Sequence, residues 1–245
     1  MKRFPSGAGV ELFDSLDSTS LEAKRWASKG EAGPRWFIAL TQTAGYGRRG
    51  REWEQRAGDF AGTLLFTPEE PADMLGQVSF IVALALASSF DELMSEARTS
   101  LKWPNDLLID GKKAAGILLE SADRRLLVGI GVNIVNAPQG VAYPTARLLD
   151  HTTSPPSPEH LAARIDDHFW RLMRLWRERG FMAIRDLWLA RAAGVGENIL
   201  VRLPNEDISG FFETINDTGA LILRSEAGKR TISAGEVFFG SPPKE

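Results

Sequence analysis

The chain has no cysteine. Disulfides, thiolate metal sites and cysteine nucleophiles are excluded together. Histidine is nearly as scarce. His151, His160 and His168 all fall late in the chain, and their spacing is not that of zinc ligands. No G-x-S-x-G elbow offers a serine nucleophile either. Long hydrophobic runs are missing too. The longest uninterrupted one, Phe80–Ala87, is too short to cross a bilayer. The basic start MKRFPSGAG has no apolar stretch behind it, so no signal peptide is expected. Charge of one sign is not in excess: 29 Lys and Arg against 32 Asp and Glu leave a net −3, which does not suit a general nucleic-acid binder. No internal repeat and no low-complexity tail is visible. The expectation is a cytoplasmic protein without membrane association. Its 245 residues suit one large domain, or a large and a small one, with length enough for a sizeable core.

What is present concentrates in Thr41–Trp53, TQTAGYGRRGREW. Gly45, Gly47 and Gly50 alternate there with Arg48, Arg49 and Arg51, and no acid lies among them. Glycines let backbone N–H groups approach a ligand, and arginine forks match phosphate or carboxylate oxygens. The stretch reads as an anion-cradling loop. It also matches G-x-G-x-x-G, but a dinucleotide loop needs a helix after it, and here a strand-like run at Thr63–Phe66 follows. A Walker A loop fails as well, because Arg51 and Glu52 stand where lysine and a hydroxyl are needed. The bland alternative is a solvated basic hairpin.

Asp17-Ser18-Thr19-Ser20 opens a first helix, with Thr19 and Glu22 as a capping box and Gly30 as its stop. The hydroxyls either merely cap or also face a pocket. Trp36–Thr41 reads as a buried strand that delivers Gln42, whose amide suits a urea-like or amide-like ligand. Trp53 either packs the loop or stacks on a base. Ala61–Thr67 is a second strand, and Leu75–Met94 a helix apolar on most faces and hence buried. In LKWPND, Pro104 fixes a bend that presents Lys102, Asn105 and Asp106, or serves only as a turn. Asp110-Gly111 signals a hairpin leading to Lys112 and Lys113, with small residues through Gly116 that leave room beside a lysine head. Leu126–Ile134 is a glycine-containing strand in which Asn133 needs partners, in the core or on a ligand. Ser157-Pro158 starts a helix that runs to Gly180, and Phe181–Ala192 forms another. The arginines there (Arg164, Arg171, Arg174, Arg177) make a solvated face. From about Gly196, five short strands suggest a small barrel. With no covalent nucleophile in view, the chemistry that fits is electrostatic: charge stabilisation in phosphoryl or adenylyl transfer.

QTAGYGRRGREW, KWPND, KKAAGILLE and GIGVNI, in this order, resemble the catalytic domain of biotin protein ligases, and Ser18-Thr19-Ser20 resembles the family's Ser-Thr-Asn. The similarity covers nearly the whole chain. It implies an α/β (α+β) catalytic domain over 1–193, with a mixed sheet akin to class II aminoacyl-tRNA synthetases, and an SH3-like β-barrel over 194–245. It implies formation of biotinyl-5′-adenylate and pyrophosphate from biotin, ATP and Mg²⁺, and then attack by a lysine of a biotin carboxyl carrier domain. Ser18, Thr19, Ser20 and Gln42 would hold the biotin head group, with Gly116 beside it. Gly45, Tyr46, Gly47 and Arg48 would close over biotin and the adenylate. Arg48 and Arg51 would meet the phosphates, Arg48 also retaining the intermediate. Lys113 would contact the biotin carboxylate and stabilise charge at the reacting phosphate. Trp53, Lys102, Asn105, Asp106 and Asn133 would bind ATP, with Asp106 as the magnesium ligand. Tyr46 departs from the family's usual arginine, and Ser20 from its asparagine. Ser18 lies so near the start that the helix-turn-helix of repressor-type members has no room, so no specific DNA binding is expected. Some members dimerise, so a homodimer is admissible. The rival expectations are a lipoate ligase or acyltransferase of the same fold, a non-catalytic biotin sensor, and a structural protein with a basic loop.

Overall fold

The structure is a computed structural model that describes residues 2–94, 99–141 and 143–239. Eight strands form one sheet: β1 (Lys2–Arg3), β2 (Gly9–Phe13), β3 (Arg35–Ala39), β4 (Phe60–Phe66), β5 (Thr99–Lys102), β6 (Asp106–Ile109), β7 (Lys112–Ala122) and β8 (Arg125–Val132). Their order is β1-β2-β3-β4-β8-β7-β6-β5. β2 and β3 run parallel, connected through α1 (Thr19–Ser28), and the other neighbours are antiparallel, so the sheet is mixed.

The side-chain alternation explains why β3 and β4 read as continuous apolar runs: both faces are covered. Trp36 and Ile38 point into the main core, whereas Phe37 joins Leu65, Leu127, Ala23 and Ala27 in a separate cluster under α1. On the opposite face lie α2 (Val78–Asp91) and α3 (Pro158–Arg179). The indoles of Trp36 and Trp170 both donate to Asp166 Oδ1 of α3, at 2.9 and 3.1 Å. Burial holds the Asp166 carboxyl above its ordinary range despite these bonds.

Local signals place several boundaries. Ser157 Oγ accepts the His160 N–H at the start of α3. Asp110 and Gly111 both have positive φ, 48° and 75°, as a type I′ hairpin requires. Counting only uninterrupted apolar residues understates the stretch around α2. Ala72–Asp91 is long and apolar enough to span by length and composition, since Gln77 and Ser79 interrupt the run without making it polar. In the fold, α2 is buried between the sheet and α3.

After α4 (Phe181–Leu189) the chain pairs with β5, Leu101 N–H donating to Arg191 and Leu101 C=O accepting from Ala193. It then forms β9 (Asn198–Arg202), β10 (Asp207–Ile215), β11 (Leu221–Ser225), β12 (Gly228–Ile232) and β13 (Glu236–Phe239). These make the five-stranded antiparallel sheet β12-β11-β10-β9-β13. Val201, Phe212, Leu221 and Val237 belong to the same hydrophobic cluster as the large sheet, so one core serves both. Trp103 Nε1 donates to the Gly219 carbonyl at 3.0 Å across this junction. Positions 240–245 of the expected C-terminal unit lie outside the described residues.

Candidate active site

The site lies on the α1 face of the large sheet, where the strands run past the helix. The residues on that face are Ala61 and Thr63 of β4, Gly116, Leu118 and Glu120 of β7, and Gly129 and Gly131 of β8. Small residues there hollow out the surface. A Cβ at Gly131 would sit 2.2 Å from the Trp53 ring, one at Gly116 3.3 Å from it, and one at Gly129 3.0 Å from Ser20 Oγ. The resulting cleft has about 1000 Å³ of open space including its mouth.

At the deep end, Ser18, Thr19 and Ser20 are buried. The expected capping box is corrected here. Ser18, not Thr19, is the N-cap, and Glu22 turns away to Arg25 and Trp26. Gln42 supplies the cap instead: its Oε1 accepts from Thr19 N at 2.8 Å and from Thr19 Oγ1 at 3.2 Å. Thr63 Oγ1 lies 2.9 Å from Thr19 Oγ1 and 3.2 Å from Ser20 Oγ. The deep end is thus a set of hydroxyls and one amide, anchored by a long-range cap that no local pattern encodes.

The arginine loop folds on itself. Gly45 C=O accepts from Trp53 N at 2.9 Å, and Gly47 N donates to Arg51 at 2.8 Å. A single 3₁₀ turn covers Arg48–Gly50, with φ of 59° at Arg49 and 72° at Gly50, and β4 follows. No helix opens on the loop, so the dinucleotide alternative fails on structure. Arg48 Nη1 donates to Asn105 Oδ1 at 3.1 Å. Arg51 reaches the other sheet, donating to both carboxylate oxygens of Glu236 at 2.7 and 2.5 Å. Tyr46 Oη donates to Glu120 Oε2 at 2.9 Å and accepts from Lys24 at 3.1 Å. The Trp53 indole N–H is buried with no acceptor among the described residues.

Lys113 reaches the cleft through a bulge. β6 and β7 pair Leu107 with Ala115 but Leu108 with Lys113, leaving Ala114 as an extra residue. In an uninterrupted strand Lys113 and Gly116 would face opposite ways. With the bulge, Lys113 Nζ comes within 3.4 Å of the Gly116 Cβ position. The ammonium sits 2.8 Å from Asp106 Oδ1, 5.1 Å from the Tyr143 ring and 5.8 Å from the Trp53 ring. Burial opposes its charge, but Asp106 and its neighbours outweigh burial, and its pKa lies above the ordinary lysine value. Lys102 has the opposite outcome: burial dominates and pulls it down, with its head over Phe238 and Phe239.

Of the residues singled out from sequence, the cleft brings together Ser18, Thr19, Ser20, Gln42, Tyr46, Gly47, Arg48, Arg51, Trp53, Lys102, Asn105, Asp106, Lys113 and Gly116. Two lie behind the wall. Gly45 packs under the loop, where a Cβ would meet Gln42 and the Trp53 carbonyl at 2.7 Å. Asn133 is also set back: its amide donates to Ala146 C=O at 3.1 Å, and its backbone N–H to Ala114 C=O at 2.9 Å, which fixes the strand beside Lys113. Among residues of the site that were not singled out from sequence, Thr63 bonds the lining hydroxyls and is legible as the one polar side chain in a buried strand, whereas the lining residues Tyr143 and Glu236 come from distant segments with no local signal.

A mixed sheet whose hollowed face joins a hydroxyl and amide end to a cationic end has the form of an α/β enzyme cleft. The chain belongs to the biotin/lipoate A/B protein ligase family, whose model matches residues 12–135; the model for the biotin protein ligase C terminal domain matches 194–240. A biotin--[acetyl-CoA-carboxylase] ligase of Paracoccus denitrificans is 43% identical, over 91% of this chain and 98% of its own length. Another so named, of Mycobacterium tuberculosis, is 35% identical over 82% of this chain and 77% of its own. The Aquifex aeolicus biotin protein ligase, solved with biotin and ATP, superposes with a TM-score of 0.83 at 24% identity, over 94% of this chain and 97% of that one; that likeness is one of fold.

Proposed function

We propose that this chain is a biotin–[acetyl-CoA-carboxylase] ligase, joining biotin to a protein lysine with ATP in two steps at this cleft. A biotin carboxylate oxygen attacks the α-phosphorus of ATP; the bond to the β-phosphate breaks, and pyrophosphate leaves. The ε-amine of the acceptor lysine then attacks the acyl carbon of biotinyl-5′-adenylate, and AMP leaves with the anhydride oxygen. The family membership and the 43% identical relative support the overall reaction. The single observation that carries the placement is the bulge that sets Lys113 between the two ends of the cleft.

Each role follows from position. The hydroxyls of Ser18, Thr19 and Ser20 and the Gln42 amide would hold the head group of biotin. Lys113, kept as an ammonium, meets the carboxylate and stabilises charge building on the α-phosphate. Arg48, Arg51, Lys102 and Asn105 line the phosphate end, and the unpaired Trp53 N–H offers a donor to the adenylate. Magnesium fits only as a passenger of the nucleotide. No cluster of three metal-binding side chains occurs among the described residues, and the acids lining the cleft there are Glu52, Asp106 and Glu236. Mg²⁺ held by phosphates needs one or two carboxylates, and Asp106 is the best placed. When bound, it would neutralise phosphate charge. The acceptor is a biotin carboxyl carrier domain. In this reading 1–193 is the catalytic unit, with 194–245 supplying Glu236, and the protein acts in the cytoplasm without binding specific DNA.

The test is biotin-dependent exchange of labelled pyrophosphate into ATP with Mg²⁺, with lipoate as the control. Exchange with biotin alone is expected. Exchange with lipoate alone moves the assignment to the other branch of the family, and biotin binding without exchange makes the protein a sensor.

A further inference from the structure

Three side chains outside the reacting centre form a closed ring of hydrogen bonds at the root of the arginine loop. Tyr46 Oη donates to Glu120 Oε2 at 2.9 Å. Lys24 Nζ donates to Tyr46 Oη at 3.1 Å and to Glu120 Oε1 at 2.7 Å. Lys24 comes from α1 and Glu120 from β7, on the same sheet face as Leu118 and Gly116. At the start of the loop, Thr43 N donates to Leu16 C=O at 2.9 Å and Ala44 N to Asp17 C=O at 2.8 Å, and beyond Tyr46 the remaining attachments are of two kinds. Some are internal, such as Trp53 N to Gly45 C=O. Others, Arg48 to Asn105 and Arg51 to Glu236, tie down the phosphate end. Tyr46 joins the other limb of the loop to the wall beside the buried hydroxyls. Burial raises the Tyr46 pKa, so the side chain remains a phenol able to donate. Glu120 holds the Lys24 ammonium against the cost of burial.

Building on the biotin reading above, we propose that Tyr46 is a positioning residue. With Lys24 and Glu120 it clasps the arginine loop against α1 and β7, and so sets how tightly the deep end of the cleft holds biotin and its adenylate. The clasp is made of the chain's own groups and needs no ligand to complete it. It acts on one substrate, because the phosphate end has its own separate fastenings.

The experiment uses the full chain with Tyr46→Phe, which keeps the ring, and Glu120→Gln, which keeps the shape. Trypsin cuts after Arg48, Arg49 and Arg51, so cleavage within the loop, located by mass spectrometry on ligand-free protein, reports how firmly it is held. Each variant is expected to be cut there about fivefold faster, the loss of roughly one hydrogen bond. In pyrophosphate exchange the KM for biotin should rise about fivefold with little change in the KM for ATP, and more free adenylate should escape. The double variant should be no worse than the worse single one. A parental cleavage rate in both variants overturns the clasp whatever the enzymology shows. Faster cleavage with a parental KM for biotin and parental retention overturns its control of the deep end, as does an equal rise in both KM values. If the parent protein shows no exchange at all, the biotin reading fails, and the cleavage rates still decide whether the clasp exists.

Discussion

Lys113 keeps its charge because Asp106, at 2.8 Å, outweighs its burial. An ammonium fixed in a site shielded from water stabilises developing negative charge far better than one in solvent. Lys113→Ala should therefore lower the rate of adenylate formation by ~10² or more with the fold intact. Single-turnover formation of biotinyl-adenylate measures this, and an unchanged rate removes Lys113 from the mechanism. A second outcome concerns a residue with no functional group. Gly131→Ala would push a methyl to within 2.2 Å of the Trp53 ring. The indole must then move, at a cost of about 1–3 kcal/mol for overpacking. Substrate KM values should rise while the far-ultraviolet circular dichroism stays the same. Unchanged KM values would mean that Trp53 does not shape the cleft.

At the scale of elements, the bulge in β7 and the long-range cap of α1 could not be read in advance. Lys113 was legible as a lysine beside small residues, but the face it occupies depends on Ala114 being skipped in a pairing between two strands. Thr19 and Glu22 match a capping box by spacing, yet Gln42, brought in by β3, takes the acceptor's place. Elements whose signal is local were read closely: Ser157-Pro158 for α3, Asp110-Gly111 for the turn before β7, and the apolar α2. β2 and β5, short and without turn signals of their own, were missed. α3 also carries a pH-dependent contact. The pKa of Asp166 is raised on folding by burial. Its charge therefore costs the folded state, and stability falls as pH rises from the ordinary 3.8 through the higher folded value, then levels off. Asp166→Asn keeps an oxygen for the Trp36 and Trp170 indoles and removes the charge. Its Tm relative to the parent should be higher at about pH 8 than at about pH 4. Thermal melts at both values check this, and a constant difference rejects it.

Across the whole molecule, the sequence pattern divides the chain into two units, and the packing rejoins them. The short strands from Asn198 onward were legible as a separate sheet, but the continuity of its core with the large one was not, because it arises from contacts such as Trp103 with Gly219 that are remote in sequence. With one core, heat should unfold the protein in a single calorimetric transition, its van't Hoff and calorimetric enthalpies equal. Two resolved transitions would show that the units are independent. The reach of Arg51 across to Glu236 has a consequence for the order in which the protein is made. Translation delivers the hydroxyls, then the arginine loop, then Lys113, and only much later Gly235, Glu236 and Val237, which line the cationic end of the cleft. A chain that has not yet reached Glu236 thus lacks part of the wall of the cleft. The groups that grip and the groups that enclose are spelled out in that order, so the cleft is fully walled only once the second sheet has docked on the first.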